Sequence, residues 1–244
     1  MKAMVLAAGL GTRLAPLTQR TPKALVSVGA ATMLEITIGR LVRAGADAIV
    51  VNVFHLADQV EAYLKSRDFG ARVAVSREDV LLDTGGGLKR AAWFFDDGRP
   101  FFLHNVDVFS AIDLGALYRD HQRGGALATL AVAERPSSRH FYFDARGHLC
   151  GWQPAAQDAP RWAREPVDGA LKLAFNGIHV VSPEIFPRMV EAGAFSISRT
   201  YLRLAQEGAA VRAFRADAWY YRDMGSPAKL TEVRAYVKAN GLPA

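Results

Sequence analysis

At 244 residues, half of them hydrophobic and 22% charged, the chain can fill one large core and is too apolar to be disordered. Its net charge of +6 suits anionic partners, but the basic residues are scattered, with no dense Lys/Arg block interleaved with aromatics, which argues against nucleic acid. The single cysteine, Cys150, excludes an intrachain disulfide and a thiolate metal site, and no apolar run approaches the ~20 residues that span a bilayer.

The chain opens on a strand pattern rather than a secretory signal, so a cytoplasmic location is expected. The apolar segment Met4 to Ala7 runs into the small-residue turn Ala8–Gly9–Leu10–Gly11. Thr12 and Arg13 follow at once, and Lys23 follows after a loop rich in Pro and Thr. Two glycines let backbone N–H groups approach an anion closely. One Arg and one Lys flank that loop with charge. The layout predicts a triphosphate cradle at the carboxyl end of the first strand. A dinucleotide fingerprint fits poorly, because Leu14 follows Arg13 and Pro16 soon interrupts; the P-loop pattern is absent.

Leu34, Ile38, Leu41 and Val42 recur at helical spacing and Gly45 stops that helix. Ala48 to Val53 is a β-branched run typical of a strand buried on both faces. Leu56, Val60 and Leu64 predict a second helix, and Val73 to Val75 a short strand. A third helix is expected beyond Gly85–Gly86–Gly87, carrying Leu88, Ala91, Ala92 and Phe95. Pro100 to Leu103 starts a strand that leads to Asn105 and Asp107. Such alternation predicts an α/β, Rossmann-like fold: a mainly parallel sheet with helices on both faces.

After about residue 125 the pattern changes. Leu127–Ala133, Phe141–Phe143 and Leu149–Trp152 read as short strands, with a turn at 144–147. Residues 153–170, rich in Pro, Ala and Asp, read as a flexible loop. Leu171–Val181 is a strand, Pro183–Val190 and Ile197–Gln206 are helical, and Ala210–Phe214 and Trp219–Arg222 are strands. Ser226–Pro227 starts a last helix that turns Leu230, Val233 and Val237 inward. One domain over 1–244 is expected, with a nucleotide-binding half (1–125) and a second, substrate-binding half (126–244).

Asn105 and Asp107 lie two apart at a strand end and share a face. By residue chemistry alone, Asp107 either caps the next turn or ligands a cation. Asp223 ends a second strand; beside Arg222 it is either a surface ion pair or the second carboxylate of a Mg²⁺ site, a cation that takes oxygen ligands and keeps phosphate oxygens in its shell.

The full run Gly9-Leu10-Gly11-Thr12-Arg13, Pro16-Leu17-Thr18 and Thr21-Pro22-Lys23 resembles the signature of the sugar-1-phosphate nucleotidyltransferases. The resemblance covers nearly the whole chain, most closely residues 1 to 107. It implies the nucleotide-diphospho-sugar transferase fold, an NTP and a sugar 1-phosphate as partners, and Mg²⁺ on Asp107 and Asp223. It implies a nucleotide site at Leu6, Ala8, Gly9, Gly11, Thr12, Arg13, Lys23 and Gly86, with Arg13 and Lys23 catalytic. Asp83-Thr84-Gly85-Gly86-Gly87-Leu88 resembles the family's loop against base and sugar, where three glycines would expose N–H groups. Phe175-Asn176-Gly177-Ile178 resembles its sugar-binding segment, so Asn105 and Asn176 are expected on the acceptor.

The family's Glu-Lys-Pro, whose Lys contacts the sugar phosphate, is replaced by Gly151-Trp152-Gln153-Pro154. Lys172, Arg139 or His140 remain to supply that charge, and Lys172 is expected to bind the substrate. The stretch Val50 to Val60, the Asp83–Gly87 loop and the absence of a C-terminal extension look most like the short N-acetylmuramate-1-phosphate uridylyltransferases, which would use UTP. His104-Asn105-Val106-Asp107 departs from the Asn-Gly-Asp those enzymes carry. A GTP-using mannose- or heptose-1-phosphate enzyme, a phosphocholine-type cytidylyltransferase and a catalytically silent nucleotide-sugar sensor are the alternatives.

Overall fold

In the computed structural model, which describes every residue except Arg164, Pro166, Val167 and Ala244, the first half runs in chain order through β1 (Lys2–Leu6), the two-residue strands β2 (Ser27–Val28) and β3 (Ala31–Thr32), α1 (Met33–Arg43), β4 (Ala48–Val53), α2 (Ala57–Lys65), β5 (Arg72–Arg77), α3 (Asp83–Arg90), β6 (Phe101–Asn105), β7 (Val108–Ser110) and α4 (Leu114–Gly124). The second half runs through β8 (Ala128–Ala133), β9 (His140–Phe143), β10 (Leu149–Gln153), β11 (Arg161–Trp162), β12 (Leu171–Val181), α5 (Ile197–Gln206), β13 (Val211–Arg215), β14 (Tyr221–Asp223) and α6 (Pro227–Asn240).

β1 pairs in parallel with β4 and β6, and β5 extends the sheet beside β4. β12 runs antiparallel to β6, β8 and β9, so one long strand joins the parallel first half to a mainly antiparallel second half, in which only β13 runs parallel to its neighbour β8 among the described residues. Successive residues of a strand point to opposite faces. Accordingly Ala3, Val5, Ile49 and Val51 enter one core while Met4, Leu6 and Val50 enter the other. The first core is closed by Leu34 and Ile38 of α1, Val60 of α2, Leu117 of α4 and Leu230 of α6. The second is closed by Leu88 of α3 and Ile197, Tyr201 and Leu204 of α5. Helices thus cover both faces of a mixed sheet, as the alternation implied.

Local chemistry fixes the ends of these elements. Thr32 and Glu35 form a capping box at the start of α1, Thr32 Oγ1 accepting from the Glu35 N–H at 3.1 Å and Glu35 Oε2 from the Thr32 N–H at 2.7 Å. Three expectations need correction. α3 begins at Asp83 and contains the three glycines instead of starting after them. The helix after Ser182 is a 3-10 segment, Pro183–Arg188, because Pro187 inside it cannot donate an α-helical hydrogen bond. The loop expected over 153–170 contains β11, which pairs with β10; Arg164, Pro166 and Val167 within it lie outside the described residues. Among the described residues no helix is long and apolar enough to cross a membrane.

Candidate active site

β1, β4 and β6 end side by side, and their carboxyl ends open onto a first cavity of about 370 Å³, where an α/β sheet of this kind takes its ligand. Leu6, Ala8, Gly9, Lys23, Asp83 and Thr84 help line it. Its wall is set by a buried polar relay. The Ala7 N–H donates to Asn52 Oδ1 at 2.7 Å, Asn52 Nδ2 donates to Glu78 Oε1 at 2.7 Å, and Glu78 Oε2 accepts from the Leu82 N–H at 2.9 Å. Asn52 and Glu78 are only 2% and 4% exposed, so each needs these partners. The relay ties the end of β1 to the start of α3.

The loop after β1 is anchored from behind. Gly11 has φ +68°, and a Cβ there would lie 2.8 Å from Thr18 Cγ2. Thr18 Oγ1 donates to the Gly11 carbonyl at 2.8 Å. Gly11 and Thr12 build the turn without lining the cavity, whereas Gly9 has open space where its Cβ would be. The glycines of α3 behave unlike the expectation. The Gly85 and Gly86 N–H groups both go to the Phe195 carbonyl, at 2.9 and 3.3 Å. A Cβ on Gly86 would meet the Gly193 carbonyl oxygen at 2.6 Å. Gly86 is therefore packed against protein, and Asp83 and Thr84 face the cavity in its place.

A second cavity of about 500 Å³ adjoins the first. Arg13, Asp107 and Asp223 reach its wall. The two carboxylates are brought together by the β7–β14 pairing, where Asp223 sits opposite Val108 and the Met224 N–H donates to the Asp107 carbonyl at 2.7 Å. Lys23 Nζ pairs with Asp107 Oδ2, and Lys229 Nζ pairs with Asp223 Oδ2. The Gly225 N–H donates to Asp223 Oδ1 at 2.9 Å. A Cβ on Gly225 would lie 2.5 Å from Arg13 Nη2 and 2.7 Å from Asp223 Oδ1, so Gly225 makes the room in which Arg13 lies against the carboxylate. Burial pushes the Asp223 carboxyl upward, but the Lys229 and Gly225 hydrogen bonds and the Lys229 and Arg13 charges outweigh it and hold it below the usual range.

The second half contributes a guanidinium that sequence reasoning missed. Arg135 donates to Asn176 Oδ1 at 3.1 Å and to the Phe175 carbonyl at 2.8 Å, and stands 4.3 Å over the Tyr221 ring. Asn176 is fully buried and orients Arg135 instead of reaching a cavity. Beyond lies a third cavity of about 290 Å³, walled by Trp152, Pro154, Phe175 and His179. Asn105 lines all three cavities. Gly177 leaves it room there: at φ +73°, a Cβ would meet Asn105 Nδ2 at 2.7 Å. Lys172 is exposed on β12 opposite Tyr142 and lines none of the three.

The structure thus assembles Leu6, Ala8, Gly9, Arg13, Lys23, Asn105, Asp107 and Asp223 around one cleft, and places Gly11, Thr12, Gly86, Asn176 and Lys172 off its walls. Asn52 and Glu78 went unread, although Asn52 interrupts an otherwise apolar strand and was legible as an anomaly. Among the described residues, no three His, Cys, Asp or Glu side chains gather into a metal cage. Asp107 and Asp223 form a pair whose counter-charges are lysine ammoniums. Two carboxylates facing a cavity sized for phosphates fit a hard cation that completes its shell from phosphate oxygens.

A glycine turn at the end of β1, a carboxylate pair and three adjoining cavities make up the cleft of this α/β fold, and the chain belongs to the nucleotidyl transferase family, whose pattern matches residues 2–240. It is 36% identical over 220 residues to the N-acetylmuramate alpha-1-phosphate uridylyltransferase of Caulobacter vibrioides, covering 84% of this chain and 85% of that one. The protein of the same description from Neisseria meningitidis is 30% identical over 242 residues, covering 98% and 99%. In fold, it superposes on UDP-glucose pyrophosphorylase from Acinetobacter baumanii with a TM-score of 0.80 at 18% identity, over 99% of this chain and 95% of that one.

Proposed function

We propose that the chain transfers the uridylyl group of UTP to N-acetylmuramate 1-phosphate, giving a UDP-sugar and pyrophosphate. The observation that carries this reading is the junction of the three cavities at Asn105, with Arg13, Lys23, Asp107 and Asp223 beside it. A base and ribose fit the first cavity, the phosphates the second, and a sugar ring the third against Trp152 and Phe175. An ionised phosphate oxygen of the acceptor attacks the α-phosphorus in line; a P–O bond forms there, the α–β bridging P–O bond breaks, and its electrons leave on pyrophosphate. The attacking oxygen is already anionic near neutral pH, so the chain needs no general base. Alignment and charge neutralisation carry the step. Arg13 and Lys23 stabilise charge on the triphosphate and the departing pyrophosphate.

Asp107 and Asp223 would hold Mg²⁺, which would supply Lewis-acid neutralisation of phosphate charge. Such an enzyme works in the cytoplasm, where it would return a recycled peptidoglycan sugar to the nucleotide-sugar pool. The two uridylyltransferases that match over most of their own length support UTP and this acceptor. Pyrophosphate release across a crossed set of UTP, GTP, CTP and dTTP with sugar 1-phosphates tests the reading. Highest turnover with UTP and N-acetylmuramate 1-phosphate is expected. Preferred turnover of GTP with mannose 1-phosphate would overturn it.

A further inference from the structure

An acceptor phosphate entering the second cavity needs a cation that is not already committed. Lys23 and Lys229 are on the carboxylates, and Arg13 lies against Asp223. Arg135 is held by Asn176, the Phe175 carbonyl and the Tyr221 ring. His140 also lines the cavity, but burial lowers its imidazole pKa, the Lys172 and Arg135 charges push the same way, and only a hydrogen bond to the Arg135 backbone opposes them, so the balance disfavours the cation. Gln153 stands just before Pro154 but is turned away, its Nε2 donating to the Asp158 carbonyl at 2.8 Å and its Oε1 accepting from the Tyr142 hydroxyl at 3.3 Å. Lys172 lines none of the cavities.

Arg139 remains. It lies on the segment between β8 and β9, is exposed, and lines both the second and the third cavity. Its guanidinium has no hydrogen-bond or ion-pair partner among the described residues, while Trp152, Phe175 and Ser198 share the same boundary between the two cavities. A planar fork of donors at that boundary matches the geometry of an oxyanion.

We propose that Arg139 binds an anionic group of the acceptor at the boundary between the second and third cavities. This rests on the sugar-1-phosphate reading above. Two acceptor groups carry the required chemistry: the 1-phosphate itself, and a carboxylate borne by the sugar.

The test is steady-state turnover of the full chain with UTP and Mg²⁺, comparing Arg139→Ala, Arg139→Lys and Lys172→Ala on N-acetylmuramate 1-phosphate, which carries both groups, and N-acetylglucosamine 1-phosphate, which has no carboxylate. Arg139→Ala raises the acceptor KM about 10- to 100-fold, the range for losing a charged hydrogen bond. It leaves the KM for UTP within about twofold, and Arg139→Lys recovers part of the loss. An equal rise for both acceptors assigns the phosphate; a rise confined to the muramate assigns the carboxylate. An unchanged acceptor KM, an equal rise in the KM for UTP, or a rise carried by Lys172→Ala overturns the proposal. If the wild type turns over no sugar 1-phosphate with any NTP, the function fails and Arg139 is judged by calorimetric titration of orthophosphate and glucose 1-phosphate. Binding weakened at least tenfold in Arg139→Ala keeps the anion site, and equal binding removes it.

Discussion

Gly87→Ala is the substitution whose cost the structure specifies most closely. The added Cβ would lie 2.7 Å from both Asn52 Nδ2 and Glu78 Oε1, the two atoms of the buried hydrogen bond that joins β4 to the segment before α3. Overpacking costs about 1–3 kcal/mol. Parting a charged hydrogen bond in a site this dry adds about 1.5–3 kcal/mol. Replacing a helical glycine by alanine returns about 1 kcal/mol. The balance is a loss of about 3 kcal/mol, which lowers the Tm of a chain this long by roughly 6–12 °C. Differential scanning calorimetry reads it directly. Because Asn52 also holds the Ala7 N–H, the KM for the nucleotide should rise as well. In Gly87→Ala/Asn52→Ala the amide that clashes is gone, so the combined loss should fall short of the sum of the single losses. A Tm for Gly87→Ala at or above that of the wild type would show that α3 relaxes freely, and the relay would then not set the cavity wall.

Arg13→Ala and Lys23→Ala should each slow turnover by an amount equivalent to roughly 2–4 kcal/mol; wild-type kinetics in either would remove the cradle assignment. Asp107→Asn and Asp223→Asn should nearly abolish activity dependent on a divalent cation while leaving the circular dichroism spectrum unchanged, and full activity in Asp223→Asn would place the second ligand elsewhere. Stability should fall on acidification. Burial holds His121 at a pKa of about 4 and His104 and His179 at about 3, Arg40 adding to the effect at His104 and His104 to that at His179, against 6.5 for an ordinary imidazole. Below pH 6.5 the unfolded chain takes up protons the folded one refuses, so each of these groups costs on the order of 1 kcal/mol at pH 5.5 and almost nothing at pH 7.5. Urea midpoints at the two values measure the sum, and equal midpoints would contradict it.

The parts of the site legible in the sequence are those held by short-range chemistry. The Gly9–Arg13 turn, the strand-end Asp107 and the Ser226–Pro227 helix start each announce themselves through residues a few positions apart. What escaped depends on partners far along the chain. Asn52 and Glu78 are 26 residues apart, and Arg135 reaches Asn176 41 residues away. The glycines of α3 misled for the same reason. Three in a row suggest an open loop, but what Gly85 and Gly86 face is Phe195 and Gly193, more than 100 residues on. Lys172 carries the right charge, yet its place on β12 leaves it outside the cleft, a fact of register that no local pattern contains.

Asn105, given room by Gly177 where the three cavities meet, constrains how this scaffold can change. With donor and acceptor seated as proposed, a substitution there would alter the fit of both at once, so neither preference could drift through it alone. Leu81 and Ala194 border only the first of these cavities, and Pro154 and His179 only the third. On the proposed placement of base and sugar, natural variation or laboratory selection for a new base should therefore accumulate at the former pair and for a new sugar at the latter, with Asn105 and Gly177 held constant between two separately tunable specificities.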